Sequence, residues 1–150
     1  MRKALVISSA LLLVAFVLQF AFAAVGGFTR SGGDDAYALH SINGMAVIPA
    51  LTLLTALCAA LAKAPGRLIA LALLPIGLVV LQALLAALAN AATDAAGVST
   101  PLGPIVGALH ALNGIIAVHV VVAVLQGARK LSDPEPADST GAVVGSREPA

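Results

Sequence analysis

The sequence predicts an all-α transmembrane four-helix bundle made of two pseudo-repeated helical hairpins. Three observations carry that prediction. The 150 residues are 60% hydrophobic and only 10% charged, where a soluble domain carries about 25% charged residues. The apolar residues gather in four long runs parted by short polar stretches. A seven-residue phrase also occurs twice near the start of such a run, as Ala38-Leu39-His40-Ser41-Ile42-Asn43-Gly44 and Ala108-Leu109-His110-Ala111-Leu112-Asn113-Gly114.

The first span covers residues 4–25, apolar apart from Ser8, Ser9 and Gln19. At about 1.5 Å per residue, its length of about 22 residues crosses a hydrocarbon core of roughly 30 Å. Met1-Arg2-Lys3, the apolar run and Ala21-Phe22-Ala23 also fit a secretory signal with a small-residue cleavage site. The run exceeds the roughly 7–15 residues of a signal core, which favours a retained span. Gly26 to Ala36 reads as a loop, with Asp34 or Asp35 suited to cap the next helix. The second span, 37–61, carries Pro49 near its middle, where proline kinks a helix. Lys63-Ala64-Pro65-Gly66-Arg67 is a basic turn. The third span, 68–91, contains Pro75, Gly77 and Gln82. After a second polar loop the fourth span runs over 104–126, with Pro104 suited to a first helical turn. Residues 1–130 thus form one membrane domain. Residues 131–150, rich in proline, acids and small polar residues, have too little to bury and read as a disordered tail.

Lysine and arginine counts in short flanks set orientation. Six bases, Arg2, Lys3, Lys63, Arg67, Arg129 and Lys130, lie on one side and Arg30 alone on the other. The expectation is a multi-pass protein of a bacterial cell membrane with both termini cytoplasmic. The net charge of +1 gives no reason to expect nucleic acid. A single cysteine, Cys58, allows no internal disulfide and reads as a small packing residue. The expected partner is the lipid bilayer, and the alanine-rich spans suit burial against a second copy or a larger membrane complex.

Histidine, asparagine and glutamine in hydrocarbon must find partners there. Gln19 and Gln82 lie about 21–23 Å above the basic edge, and His40 and His110 about 5–10 Å below the other, at 1.5 Å per residue. All four therefore fall at similar depth. Helices two and four are diagonal in an up-down bundle, so the two histidines face each other across the core. His-to-Asn and His-to-Gly separations of three and four keep Asn43 and Gly44, and Asn113 and Gly114, on the histidine face. Two readings of this layer stay open. Either it grips a flat cofactor, or Asn, Gln and His bond across helices that small residues let approach. Two histidines without acids or thiols do not make a structural zinc site, which takes four ligands. A b-type haem needs only two axial imidazoles and an apolar slot. On that reading His40 and His110 are the haem iron ligands, supported by Asn43, Gly44, Asn113, Gly114, Gln19 and Gln82. Arg30 is a candidate propionate partner, with a solvated loop charge as the plainer alternative.

His119 lies half a turn around the helix from His110, so it belongs to packing or an interhelical bond rather than to ligation. Phe16, Phe20 and Tyr37 suit an interface belt, or the wall of a planar cofactor. The spans contain no nucleophile–base pair, phosphate loop or paired carboxylates, and no reaction is named. A transporter would need a continuous polar path, and the cytoplasmic halves of the spans are dry.

At Gln19, His40, Gly44, Gln82, His110 and Gly114 the chain resembles a family of small bacterial four-span membrane proteins of unknown function. The likeness covers about residues 4 to 130. More distantly, Ala-Leu-His opening alternate helices resembles one four-helix half of haem A synthase, a cytochrome oxidase assembly enzyme. That resemblance implies haem ligation at His40 and His110. Those enzymes have two such halves and an acidic residue where Tyr37 stands here, so it does not extend to their oxidation chemistry.

Overall fold

The computed structural model describes residues 1–29, 34–93 and 98–133. Arg30, Asp94 and the tail beyond Asp133 lie outside the described residues, as do the side chains of Asp34 and Asp35. Four helices make the fold: α1 (Arg2–Phe28), α2 (Ala38–Leu61), α3 (Gly66–Ala91) and α4 (Leu102–Ser132). All four are long and apolar enough to cross a membrane, and the fold is that of a multi-pass helical membrane protein. Neighbours are α1–α2, α2–α3, α3–α4 and α4–α1. The ring closes on itself, and α2 and α4 are diagonal, as the sequence predicts.

Many large side chains point outward, and small residues make up much of the interior. Leu11, Val14, Leu53, Leu57, Val80, Ile105 and Ile116 are exposed on the bundle surface, while Ala15, Ala59, Ala72, Ala117 and Ala128 are buried. Without water to drive apolar residues inside, close backbone approach through small residues holds such helices together. The central cluster joins Leu12, Ala15 and Phe16 of α1 to Ile48 of α2 and to Ala117 and Val121 of α4. Cys58 sits in a second cluster with Leu5, Ala59, Ala64 and Ala128, the packing role expected for it. Buried hydroxyls bond within their own helices: Ser9 Oγ to the Leu5 carbonyl (2.6 Å), Thr52 Oγ1 to Ile48 (2.8 Å) and Thr55 Oγ1 to Leu51 (2.7 Å). Among the described residues, no buried side-chain nitrogen or oxygen lacks a partner.

α2 is not uniform. It is α-helical over Ala38–Ile42 and Ile48–Leu61, with a π-helical turn at Asn43–Val47 between them. Pro49 has no N–H for the carbonyl four residues back, and the backbone widens just before it, one of the recognised causes of a helix bend. The sequence signals the proline but not the π turn. The first part of α2, Ala38–Val47, packs on α1, whereas the main contact of α2 with α3 lies in Ile48–Leu61. The start of α2 and the end of α3 therefore pack less closely.

Connections are tight where they are described. α2 ends in a Schellman motif: Lys63 N–H bonds the Ala60 carbonyl and Ala64 N–H the Ala59 carbonyl, both at 3.0 Å, with Lys63 at φ 55°. Pro65 then caps α3, so that helix starts two residues before the expected Leu68. Tyr37 occupies the cap of α2 without a side-chain capping bond; the capping role expected of Asp34 or Asp35 falls on side chains outside the described ones. α4 starts after Pro101, with Pro104 in its first turn as expected. It continues past Gln126 to Ser132, because Arg129 and Lys130 in its last turn complement the helix dipole.

Gly26 admits the chain as it returns to α2. A β-carbon there would lie 2.7 Å from Tyr37 Cε1 and 2.9 Å from the Ala36 carbonyl oxygen. The backbone oxygen cannot swing aside, so Gly26→Ala should cost about 1–3 kcal/mol. Thermal unfolding in detergent should show a lower midpoint, and an unchanged midpoint contradicts this packing.

Candidate functional site

The polar residues singled out in the sequence meet in the half of the bundle away from the N-terminus, in two matching sets of bonds. In the first hairpin, Asn43 Nδ2 of α2 donates to the Ala15 carbonyl of α1 (2.9 Å) and to Gln19 Oε1 (2.7 Å). In the second, Asn113 Nδ2 of α4 donates to the Leu78 carbonyl of α3 (2.9 Å) and to Gln82 Oε1 (2.8 Å). Both asparagines are buried. Ala15 and Leu78 each sit one helical turn before the glutamine, so one amide group grips two successive acceptors along the partner helix. Each set ties α1 to α2, or α3 to α4, at a fixed register.

The histidines complete the sets. His40 Nδ1 lies 3.1 Å from the Gln19 carbonyl oxygen, and His110 Nδ1 lies 3.3 Å from that of Gln82. A carbonyl oxygen can only accept, so each Nδ1 carries the proton and, in the neutral ring, Nε2 keeps a lone pair. The two rings face each other with centroids 6.3 Å apart and planes inclined by 40°. Tyr37 closes on the edge of His40 at 6.2 Å and 81°. The sets differ in one bond: Gln19 Nε2 also donates to the His40 carbonyl at 3.0 Å.

Gly44 and Gly114 leave room on the histidine face for a ligand or for close helix packing. Protein packs closely against both, and both also line the adjoining cavity. A β-carbon at Gly44 would lie 2.7 Å from Gln19 Nε2, while one at Gly114 would meet Phe20 Cζ at 3.4 Å and Gln82 Nε2 at 3.5 Å. Asn43 and Asn113 bond facing backbone rather than the imidazoles. His119 bonds the Ile115 carbonyl of its own helix at 2.9 Å and is exposed, so its partner is not on another helix.

A cavity of about 450 Å³ lies beside the histidine pair. All four helices wall it, through Phe16, Phe20, Gly44, Val79, Ala83, Ala86 and Gly114 among others, and both histidines reach it. Its size is that of a cofactor or small-ligand site. Ser41 and Asn90 add polar groups to the lining, and the sequence reading gave neither a role. Among the described residues, no three of His, Cys, Asp or Glu are grouped to hold a metal ion, which leaves the two histidines as the candidate ligand set.

Gly44→Ala should push the Gln19 amide off the His40 carbonyl and cost about 1–2 kcal/mol, the upper range for polar contacts between membrane helices. Gly114→Ala, with only ordinary contacts to meet, should cost clearly less. Paired melting curves in detergent test the ranking, and equal losses contradict it.

Residues 19–90 match the model described as a family of unknown function (DUF6220). The matched stretch begins at Gln19 and ends at Asn90, so it takes in Gln19, His40, Asn43 and Gln82 but not Ala15, and stops before His110. Neither the curated proteins nor the solved structures compared with the chain give a match.

Proposed function

We propose that this protein binds a b-type haem between His40 and His110, for electron transfer, haem handling or sensing. One observation carries the reading. Each ring donates Nδ1–H to a backbone carbonyl, which holds the ring and leaves Nε2 free, the arrangement typical of metal-ligating histidine. The separation also fits. Two metal–imidazole bonds of about 2 Å each, plus half of each ring, place the centroids about 6 Å apart, against 6.3 Å here. The adjoining apolar cavity supplies a slot. When bound, the iron would supply one-electron redox chemistry at a potential tuned by its axial ligands and surroundings. The chain's own part is to orient. Gln19 and Gln82 offer the carbonyls that fix each imidazole, Asn43 and Asn113 fix the helices that carry them, and Phe16 and Phe20 exclude water.

The proposed location is a bacterial cell membrane, and the lysine and arginine bias supports both termini being cytoplasmic with the histidine layer near the outer face. The recurrence of the same bonds in both hairpins supports an internal repeat related by an axis along the membrane normal.

A second reading is a non-catalytic accessory subunit whose His/Asn/Gln layer only packs the helices. It is favoured by the absence of unpartnered buried side-chain polar atoms among the described residues.

A dithionite-reduced minus oxidised absorption spectrum of the detergent-purified protein, from cells supplied with haem precursor, separates the two. The haem reading predicts a low-spin pattern that His40→Ala or His110→Ala abolishes while helix content is kept. A flat spectrum from folded protein sinks that reading and leaves the packing role.

A further inference from the structure

The two sets of polar bonds match, but the walls around them do not. In α1 the residues beside and below Gln19 are Phe20 and Phe16. In α3 the residues beside and below Gln82 are Ala83 and Val79. Phe20 closes its side of the bundle by reaching Gly114 of α4. On the other side a methyl group stands where that ring would be. The α2–α3 seam also packs less closely at the start of α2 and the end of α3, because the main contact of α2 with α3 lies in Ile48–Leu61.

The space continues outward there. A second cavity, about 380 Å³, is bounded only by α2 and α3, and it shares Met45, Val79 and Ala83 with the central one. Its remaining lining, Pro49, Ile76, Val80 and Leu84, is wholly apolar. Met45, Val80 and Leu84 are exposed on the bundle surface, so an apolar path leads from the hydrocarbon to the histidine pair. Of the bundle helices, α3 buries least, with only Ala72 and Pro75 fully covered.

We propose that the haem enters from the bilayer between the outer half of α2 and α3 and keeps one apolar edge in that seam, with Ala83 setting the room available. This rests on the haem reading above. It adds the side of entry and a residue that determines the fit without touching the iron. The occupant is a flat macrocycle with a hydrophobic rim. Two opposed imidazoles and a slot with almost no polar groups along its outer part suit such a group and do not suit a polar one.

The test is a graded series, Ala83→Val, Ala83→Leu and Ala83→Phe, with Leu81→Phe, exposed on the same helix and outside both cavity linings, as control. Haem affinity is titrated for the purified protein in detergent, alongside helix content and melting midpoint. Affinity should fall in order of side-chain size, by about tenfold or more at phenylalanine, where an overpacked site cannot accept the ring. Leu81→Phe should keep binding. If Ala83→Phe does not fold, the valine and leucine variants still give the order. Wild-type affinity across the folded series overturns the seam and leaves haem binding standing. A wild-type protein that takes up no haem removes the haem reading itself, and this inference with it.

Discussion

An asparagine amide inside hydrocarbon has no water to bond, so its two hydrogens must be met by protein. Asn43 and Asn113 meet this constraint in one way, each donating to a glutamine side chain and to a backbone carbonyl one turn earlier. The rest of the half away from the N-terminus follows. The amide fixes the register of the two helices in a hairpin, and the register brings a histidine opposite a glutamine carbonyl. That carbonyl takes the Nδ1 proton, and the two Nε2 lone pairs are left without a backbone partner. Packing elsewhere in the bundle is generic: small residues inside, leucine and valine outside, hydroxyls bonded to their own helices.

Stability and site share these contacts, which explains how one layer supports both a scaffold and a ligand reading. Polar contacts between membrane helices average only about 0.6 kcal/mol, so two sets of them modestly strengthen the bundle. Their larger consequence is direction. A histidine held by its Nδ1–H has lost most of its freedom to turn, and the two rings so held lie 6.3 Å apart. The π turn before Pro49 lies in the same region, where α2 keeps its bonds to α1.

Much of this was legible from residue types. Four apolar runs fixed the helices, and the diagonal place of α2 and α4 followed from short connections. The shared depth of Gln19, His40, Gln82 and His110 came from rise per residue alone. The acceptors at Ala15 and Leu78 were not legible, because a backbone carbonyl has no signature in side-chain identity. The glycines stay ambiguous for a related reason. Spacing places Gly44 on the histidine face but cannot say whether a ligand or the neighbouring glutamine fills the gap. The π turn left no mark beyond Pro49. The difference between Phe20 and Ala83 was visible in the letters, yet it gains meaning only when the two hairpins are aligned on their glutamines rather than their histidines.

The central claim is that both facing histidines are held in the Nδ1–H tautomer with Nε2 free. Nitrogen-15 NMR of histidine-labelled, haem-free protein in lipid, in a His119→Ala background, reads this directly. Two imidazole signal sets, each with a protonated Nδ1 and an unprotonated Nε2 at neutral pH, are the predicted result. Protonated Nε2 on either ring, or rapid exchange between tautomers, would contradict the bonds to Gln19 and Gln82 and the ligand geometry built on them.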